Sequence, residues 1–118
     1  MSDTGPWKDE LAKGFVQKLA VTLKYCHEIG VSHRDLKCDN ILIDQSDHFV
    51  LIDFAFSSSS FGGKKSETYC GTPQYMSPEI VSKLPYCPKK ADVWALGIIT
   101  YKLVAGDHPF HGNIRIID

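Results

Sequence analysis

Apolar residues recur at three- and four-residue steps along the first part of the chain, a pattern that predicts an amphipathic helix over residues 7–29. Pro6 suits the start of this helix and Gly30 suits its end. Charged and polar side chains fall mostly on the opposite side. The positions of the predicted buried face are Leu11, Phe15, Leu19, Leu23 and Cys26.

Two short apolar runs, at residues 41–43 and 49–52, flank a polar segment at 44–47. This order predicts a β-hairpin. Apolar residues show no periodic spacing over residues 53–79, where four consecutive serines and a Gly-Gly-Lys-Lys sequence predict a long polar loop. Loops of this length inside compact domains are usually functional or disordered.

Residues 91–104 are apolar nearly all round, which predicts a helix that is buried on every side. A chain of 118 residues forms one small domain at most, so it supplies few elements to surround such a helix. The helix is therefore expected to need more covering surface than the other predicted elements provide.

The composition narrows the functional classes. With 43% hydrophobic and 23% charged residues, the chain is typical of a soluble globular protein. A net charge of −1 gives no reason to expect a nucleic-acid or membrane partner, and no apolar run approaches the roughly 20 residues of a bilayer-spanning helix. The four cysteines form no C-x-x-C pair, and the N-terminus lacks the pattern of a signal peptide. Free thiols in a reducing, cytoplasmic compartment are the simplest expectation.

The chemistry is concentrated between the first helix and the hairpin, where residues 33–40 read H-R-D-L-K-C-D-N. This segment resembles the catalytic-loop signature of protein kinases, H-R-D-L-K-x-x-N, at every fixed position. Asp53-Phe54-Ala55 stands where that family places D-F-G, and Ser77-Pro78-Glu79 where it places A-P-E. Residues 92–97 are similar to its D-x-W-x-x-G helix. Four motifs in the right order are far more specific than any one alone.

Within the kinases the chain resembles the testis-specific serine/threonine kinases. Cys38-Asp39 in place of the commoner Pro-Glu, and the segments Thr68-Tyr69-Cys70-Gly71 and Pro85-Tyr86-Cys87, support this. The resemblance implies an α+β fold, the mainly helical C-terminal lobe of a protein kinase with a short β-hairpin. Residues 1–118 are expected to form a partial kinase domain that lacks the N-terminal lobe and the last helices of the C-terminal lobe.

The resemblance assigns the central roles to four residues, with ATP and Mg²⁺ as cofactors. Asp35 is expected to accept or orient the proton of the substrate hydroxyl, and Lys37 to reach the transferring phosphate as a compact positive charge. Asn40 and Asp53 supply an amide and a carboxylate oxygen, which are the hard ligands that magnesium prefers. The hairpin between them is expected to bring both to the same end.

Other residues of the loop receive supporting roles from the resemblance. His33 is expected to be a packed structural residue and not the general base. Arg34 is either a solvated charge or the partner of a phosphate on the activation loop. Asp39 contacts ribose or a basic substrate side chain, or simply caps the loop. Leu42 is a core strand residue, the floor of the adenine pocket, or both.

The remaining expectations concern the segment after Asp53 and the last helix. Thr68 is the expected activating phosphorylation site, with Ser66 as the alternative, which implies an upstream kinase. Thr72 is assigned to the substrate-hydroxyl pocket, and Glu79 to an ion pair whose arginine partner is missing. Asp92 either favours the helix N-terminus or hydrogen-bonds the catalytic-loop backbone. Ala55, where glycine is usual, resists positive φ but is not expected to inactivate the site.

The leading functional hypothesis is therefore ATP-dependent phosphoryl transfer to serine and threonine hydroxyls of protein substrates. The alternative is a truncated, non-catalytic kinase-like scaffold or decoy. A small phosphate-binding domain unrelated to kinases would require four ordered motifs by accident. The 118-residue chain made alone is expected neither to catalyse nor to fold as a stable monomer, because one wall of the nucleotide site and the cover of the last helix are missing.

Overall fold

The computed structural model describes residues 6–43, 48–52, 58–59, 65–67 and 69–110. Its helices and strands confirm the α+β prediction. Single 3₁₀ turns are also present at Cys38–Asn40 and Pro73–Tyr75. In chain order the elements are α1 (Asp9–Glu28), β1 (Val31–Ser32), β2 (Ile41–Ile43), β3 (Phe49–Leu51), β4 (Ser58–Ser59), α2 (Pro78–Val81) and α3 (Pro88–Ala105).

Helix α1 begins two residues later than the apolar pattern predicts. Asp9 and Glu10 occupy its first turn, where negative charge is favoured by the helix dipole. The buried stripe runs through Ala12, not Leu11, which is 57% exposed. One residue is about 100° of helical rotation, so the predicted face was wrong at this end, while Phe15, Leu19 and Leu23 are buried as expected.

Helix α3 begins at Pro88, three residues before the predicted start, because proline suits the first helical position. It ends at Gly106, which has φ 78°, and a Cβ there would lie 2.9 Å from Pro6. Glycine is therefore required by both the left-handed cap and the close approach. Within the described residues the helix is not buried on every side, since Val93 and Tyr101 are 57% and 47% exposed. This agrees with the expectation that the other elements of the chain leave part of its apolar surface uncovered.

The strands form two antiparallel pairs. Strands β2 and β3 form the predicted hairpin, with Ile41 opposite Leu51 and Leu42 opposite Val50. Strand β1 pairs with β4, which lies in the segment predicted to be a loop, and helix α2 begins at the end of that segment. Two-residue strands and a four-residue helix are too short to show a period, so a pattern search does not detect them.

One apolar core joins α1, the catalytic loop and α3, and it fixes the second half of the loop. Leu36 within the loop and Ile41 just after it are 2% and 0% exposed. They pack in the same cluster as Leu19 of α1 and Ile99 of α3. Burial of each such side chain contributes about 1.5–3 kcal/mol. The segment that carries Lys37 and Asn40 is thus held by the core on either side.

Among the described residues, no helix combines the length and apolarity of a membrane span.

Ser77 carries a buried hydroxyl that the fold does not use. The residue is 2% exposed, and its Oγ has no hydrogen-bond partner among the described residues. Although Ser77 precedes α2, its side chain makes no capping bond. A buried hydroxyl without a partner costs about 1–3 kcal/mol.

We expect Ser77→Ala to leave the free energy of unfolding unchanged or to raise it by up to about 1 kcal/mol, because alanine removes the unpartnered hydroxyl. Urea denaturation of the intact protein measures this. Ser82→Ala, at a partly exposed serine after the same helix, is the control and should stay within about 0.5 kcal/mol. A loss above 1 kcal/mol for Ser77→Ala would show that the hydroxyl has a partner in solution.

Candidate active site

The catalytic loop is attached to α3 by one buried carboxylate. Asp92, 1% exposed, accepts hydrogen bonds from the backbone N–H of His33 (2.8 Å) and of Arg34 (2.9 Å). Its Oδ2 also lies 2.9 Å from Nε2 of His27, in the last turn of α1. A buried carboxylate is stable only when its oxygens are hydrogen-bonded, and here three donors from two elements surround it.

The backbone at Arg34 adopts a conformation that side chains other than glycine rarely take. Its φ is 71°, in the left-handed region. Such a residue costs about 1–3 kcal/mol and persists only where the surroundings enforce it. The Asp92 carboxylate supplies that constraint at the Arg34 amide itself.

The His33 ring connects the loop to the end of the hairpin. Its Nε2 lies 2.9 Å from the carbonyl oxygen of Ile52, and its Nδ1 lies 3.1 Å from the backbone nitrogen of Asp35. Because the carbonyl only accepts and the backbone N–H only donates, the ring is neutral with its proton on Nε2. The residue is 1% exposed. His33 therefore links the backbone of Asp35 to Ile52, the residue between β3 and Asp53.

Asn40 is fixed by three hydrogen bonds. Its Nδ2 donates to the carbonyl oxygen of Asp35 at 2.7 Å, its backbone N–H donates to Lys37, and its carbonyl accepts from Ile52. With the amide nitrogen committed to Asp35, Oδ1 is left as the acceptor end of the side chain. A neutral oxygen of this kind suits a magnesium ion.

Asp35, Lys37 and Thr72 form a triangle of polar contacts. The Thr72 hydroxyl donates to Oδ1 of Asp35 at 2.9 Å and accepts from Nζ of Lys37 at 3.0 Å. The Lys37 ammonium lies 3.9 Å from Oδ2 of Asp35, which is 8% exposed. An aliphatic hydroxyl is thus held between a carboxylate that can accept its proton and a cation beside its oxygen.

Gly71 allows the segment before Thr72 to come this close. Its φ is 120°, and a Cβ at this position would lie 3.1 Å from the carbonyl oxygen of Arg34. Both the conformation and the contact favour glycine. A side chain here would be strained at this φ and would press against the Arg34 carbonyl.

Leu42 lies on the outer face of the hairpin. It is 51% exposed, opposite Val50, which is 60% exposed. The reading of Leu42 as a core strand residue is therefore wrong within the described chain, while a role as an apolar platform stays a prediction. Asp39 and Glu79 are also exposed, the first on the 3₁₀ turn and the second in α2.

Tyr86 is hydrogen-bonded to both Arg34 and Ser66. The Arg34 Nη2 donates to the Tyr86 hydroxyl at 3.1 Å. Ser66 and Tyr86 exchange two backbone hydrogen bonds of 2.7 and 3.0 Å. Ser66, the alternative phosphorylation site, is thus placed across a β-bridge from a residue that contacts Arg34.

Asp53, Ala55 and Thr68 lie outside the described residues, so their predicted roles stay predictions. Within the described part of the chain, no group of three or more His, Cys, Asp or Glu residues is arranged around a common metal position. None of the four cysteines forms a disulfide bond in the described residues.

The surroundings raise the pKa of two ionisable groups, Tyr75 and Cys26. Burial, with the neighbouring Cys38 next in importance, raises the pKa of the Tyr75 hydroxyl well above its ordinary value. Burial and then the Asp92 carboxylate raise the pKa of the Cys26 thiol. The second shift shows that the negative charge of Asp92 acts on the end of α1.

Sequence reasoning missed His27 and Tyr86 as members of this site. His27 lies six residues before His33 on the predicted helix, and nothing in the local pattern distinguishes it from a solvent-facing histidine. Its contact with Asp92 spans 65 positions in the sequence. Only the packing of α1 against α3 brings the two together.

The comparisons with known proteins agree with this geometry. A family model described as "Protein kinase domain" matches residues 1–117, and the chain belongs to the protein kinase family. Testis-specific serine/threonine-protein kinase 1 of Homo sapiens is 44% identical over 114 residues, covering 92% of this chain. NUAK family SNF1-like kinase 2 of Rattus norvegicus is 45% identical over 102 residues, covering 86%. Serine/threonine-protein kinase GIN4 of Saccharomyces cerevisiae is 39% identical over 118 residues, covering 98%.

The chain spans only part of these relatives. It covers 31% of the human testis-specific kinase, 16% of the rat kinase and 10% of the yeast kinase. The resemblance to the testis-specific kinases is confirmed by the human protein and by testis-specific serine/threonine-protein kinase 2 of Mus musculus, 39% identical over 111 residues.

Proposed function

We propose that this chain provides the catalytic segment of an ATP-dependent kinase that phosphorylates serine and threonine hydroxyls of proteins. The observation that carries the proposal is the hydroxyl of Thr72, held between the Asp35 carboxylate and the Lys37 ammonium. A substrate serine or threonine presents the same chemical group. The serine/threonine names of the relatives point the same way.

The chain's own residues account for the proton and the developing charge. Asp35 accepts the proton as the substrate oxygen forms a bond to the γ-phosphorus of ATP and the bond to the ADP oxygen breaks. Lys37 places a positive charge next to that oxygen, where the phosphoryl group arrives. Asn40 holds the Asp35 carbonyl, and His33 holds the Asp35 amide, so the backbone of the base is fixed from both sides.

Asn40 and Asp53 are the residues that would hold magnesium. The free Oδ1 of Asn40 fits this role, because Nδ2 is committed to Asp35. When bound, magnesium neutralises charge on the phosphate oxygens of the nucleotide. Leu42 and Val50 form an exposed apolar surface on the hairpin, which we assign to the adenine ring.

We expect Asn40→Ala to weaken nucleotide binding about 10- to 100-fold in the presence of Mg²⁺, the usual cost of disturbing a metal site. The metal ligand and the Asp35 contact are lost together, so Asn40→Asp is the matched variant: it keeps an oxygen ligand, loses the donor to the Asp35 carbonyl and adds a negative charge. Calorimetric titration of ATP into the intact protein, with Mg²⁺ and with EDTA, measures both.

The Mg²⁺ dependence should weaken in Asn40→Ala, where Asp53 is the remaining proposed ligand, and persist in Asn40→Asp. Gln74→Ala, at an exposed amide on the nearby 3₁₀ turn, serves as the control and should bind as the wild type does. An unchanged affinity and an unchanged Mg²⁺ dependence in Asn40→Ala would place the metal site elsewhere.

A further inference from the structure

We propose that Tyr86 is a positioning residue that holds the activation loop against the catalytic loop through Arg34 while the chain carries no phosphate. The described part of the activation loop is residues 65–67 and 69–72. The inference rests on the proposed kinase function for its effect on turnover, but not for its effect on the placement of the loop.

Tyr86 is bonded to both loops, to one by its side chain and to the other by its backbone. Its hydroxyl accepts a hydrogen bond from Nη2 of Arg34 at 3.1 Å. Its carbonyl accepts from the Ser66 N–H at 2.7 Å, and its own N–H donates to the Ser66 carbonyl at 3.0 Å. Hydrogen bonds from a charged donor are roughly twice as strong as neutral ones.

The Tyr86 ring is fixed by its surroundings. It is 2% exposed and packs in an apolar cluster with Ile80 and Ala91. The Tyr69 ring lies 6.0 Å from it, and the Tyr69 hydroxyl donates to the Lys83 carbonyl at 2.7 Å. The activation loop is therefore attached to residues 83–86 at two points, and the buried phenol gives Arg34 a rigid partner.

This attachment reaches the substrate-hydroxyl pocket. A Cβ at Gly71 would lie 3.1 Å from the Arg34 carbonyl, so the two loops are close at this point. The next residue, Thr72, donates its hydroxyl to Oδ1 of Asp35 at 2.9 Å. Movement of the activation loop away from Tyr86 and Arg34 would therefore displace Thr72 from the proposed base.

A phenol and a phosphate differ as partners of Arg34. A phosphate adds about −1.5 to −2 charges and requires another kinase to attach it. The Tyr86 hydroxyl is part of the chain and is present from the start. The unphosphorylated protein is thus expected to have an ordered activation loop and measurable turnover.

Tyr86→Phe, in intact protein treated with phosphatase, tests the placement of the loop. The variant keeps the ring and the backbone bonds to Ser66 and loses the bond to Arg34. Hydrogen exchange of the Ser66 amide, followed by NMR, should become about three- to tenfold faster, the effect of losing one typical hydrogen bond. Tyr25→Phe makes the same chemical change at a 63% exposed position and should exchange as the wild type does.

A double-mutant cycle with Arg34→Met shows whether the hydroxyl acts through Arg34. In the Arg34→Met background, Tyr86→Phe should change the Ser66 exchange rate by less than about twofold. Equal acceleration in both backgrounds would reject the proposal, because the hydroxyl would then act through another contact. Unchanged exchange in Tyr86→Phe alone would also reject it.

Turnover of a serine peptide gives a second measurement. In phosphatase-treated protein, Tyr86→Phe should lower kcat about three- to tenfold, since small misplacements at the reacting group are costly, with KM for ATP within about twofold. Turnover that is present before phosphatase treatment and absent after it would overturn the proposal, because the loop would then require a phosphate. Faster Ser66 exchange in Tyr86→Phe, with no turnover in the wild type before or after treatment, would support the placement of the loop and reject the kinase function.

Discussion

Asp35→Asn is expected to lower kcat for phosphoryl transfer about 10²- to 10⁴-fold, the usual contribution of a positioned general base. Asparagine has the same shape and still accepts a hydrogen bond through Oδ1, so the Thr72 contact can persist. It cannot take up a proton at pH 7, and it removes the negative charge 3.9 Å from the Lys37 ammonium. ATP affinity should change little, because the proposed role of Asp35 is at the hydroxyl and not at the nucleotide.

Transfer of radiolabelled phosphate from ATP to a serine peptide measures this effect, with ATP binding measured on the same preparations. Asp9→Asn makes the same chemical change at an exposed carboxylate in the first turn of α1 and should keep wild-type turnover. Turnover near the wild-type level in Asp35→Asn would reject Asp35 as the base. Loss of ATP binding would show that the residue acts on the nucleotide site instead.

The identity of the catalytic loop was readable from the sequence because its chemistry demands fixed residue types at fixed spacing. Residues 33–40 are contiguous, and the hairpin that follows is marked by two apolar runs around a polar segment. The helical phase of α1 was predicted less well, since Leu11 is exposed and Ala12 is buried. Hydrophobicity alone favours leucine over alanine, whereas Ala12 is the residue that lies on the same buried face as Phe15 and Leu19.

The contacts that hold the loop in place could not be predicted from the sequence to the same extent. Strand β4 has two residues, and its pairing with β1 is decided by tertiary structure. The hydrogen bond between Arg34 and Tyr86 joins residues 52 positions apart, and no periodic pattern in the sequence predicts it. His27 and Tyr86 were missed for the same reason: their partners are set by how elements pack, not by neighbouring residues.

Asp92 belongs to a sequence motif and also contacts the catalytic loop, and the sequence allowed two interpretations of its role. A favourable charge near the start of α3 requires only an acid at this position, and many geometries satisfy it. The observed geometry is more demanding, because both oxygens are committed to successive amides of the loop. The two readings therefore predict very different costs for removing the side chain.

Asp92→Ala is expected to lower the free energy of unfolding by about 3–5 kcal/mol, the range for breaking a buried charged network by removing one partner. The substitution leaves two backbone donors at His33 and Arg34 without an acceptor in a site that is 1% exposed. It also frees Arg34 to leave its left-handed conformation. Asp92→Asn keeps one acceptor oxygen but turns the other into a donor, so its cost should be smaller, about 1–3 kcal/mol.

Denaturant titration of the intact protein gives these values. Asp107→Asn provides the control, since Asp107 is exposed beyond the other end of α3 and should change stability by less than about 0.5 kcal/mol. Exchange of the His33 and Arg34 amides should accelerate in Asp92→Ala, because the carboxylate contacts both amides directly. A loss below about 1 kcal/mol for Asp92→Ala, the range of helix-dipole effects at exposed sites, would mean that Asp92 acts only as a favourable charge near the start of α3. Another residue would then have to hold the loop.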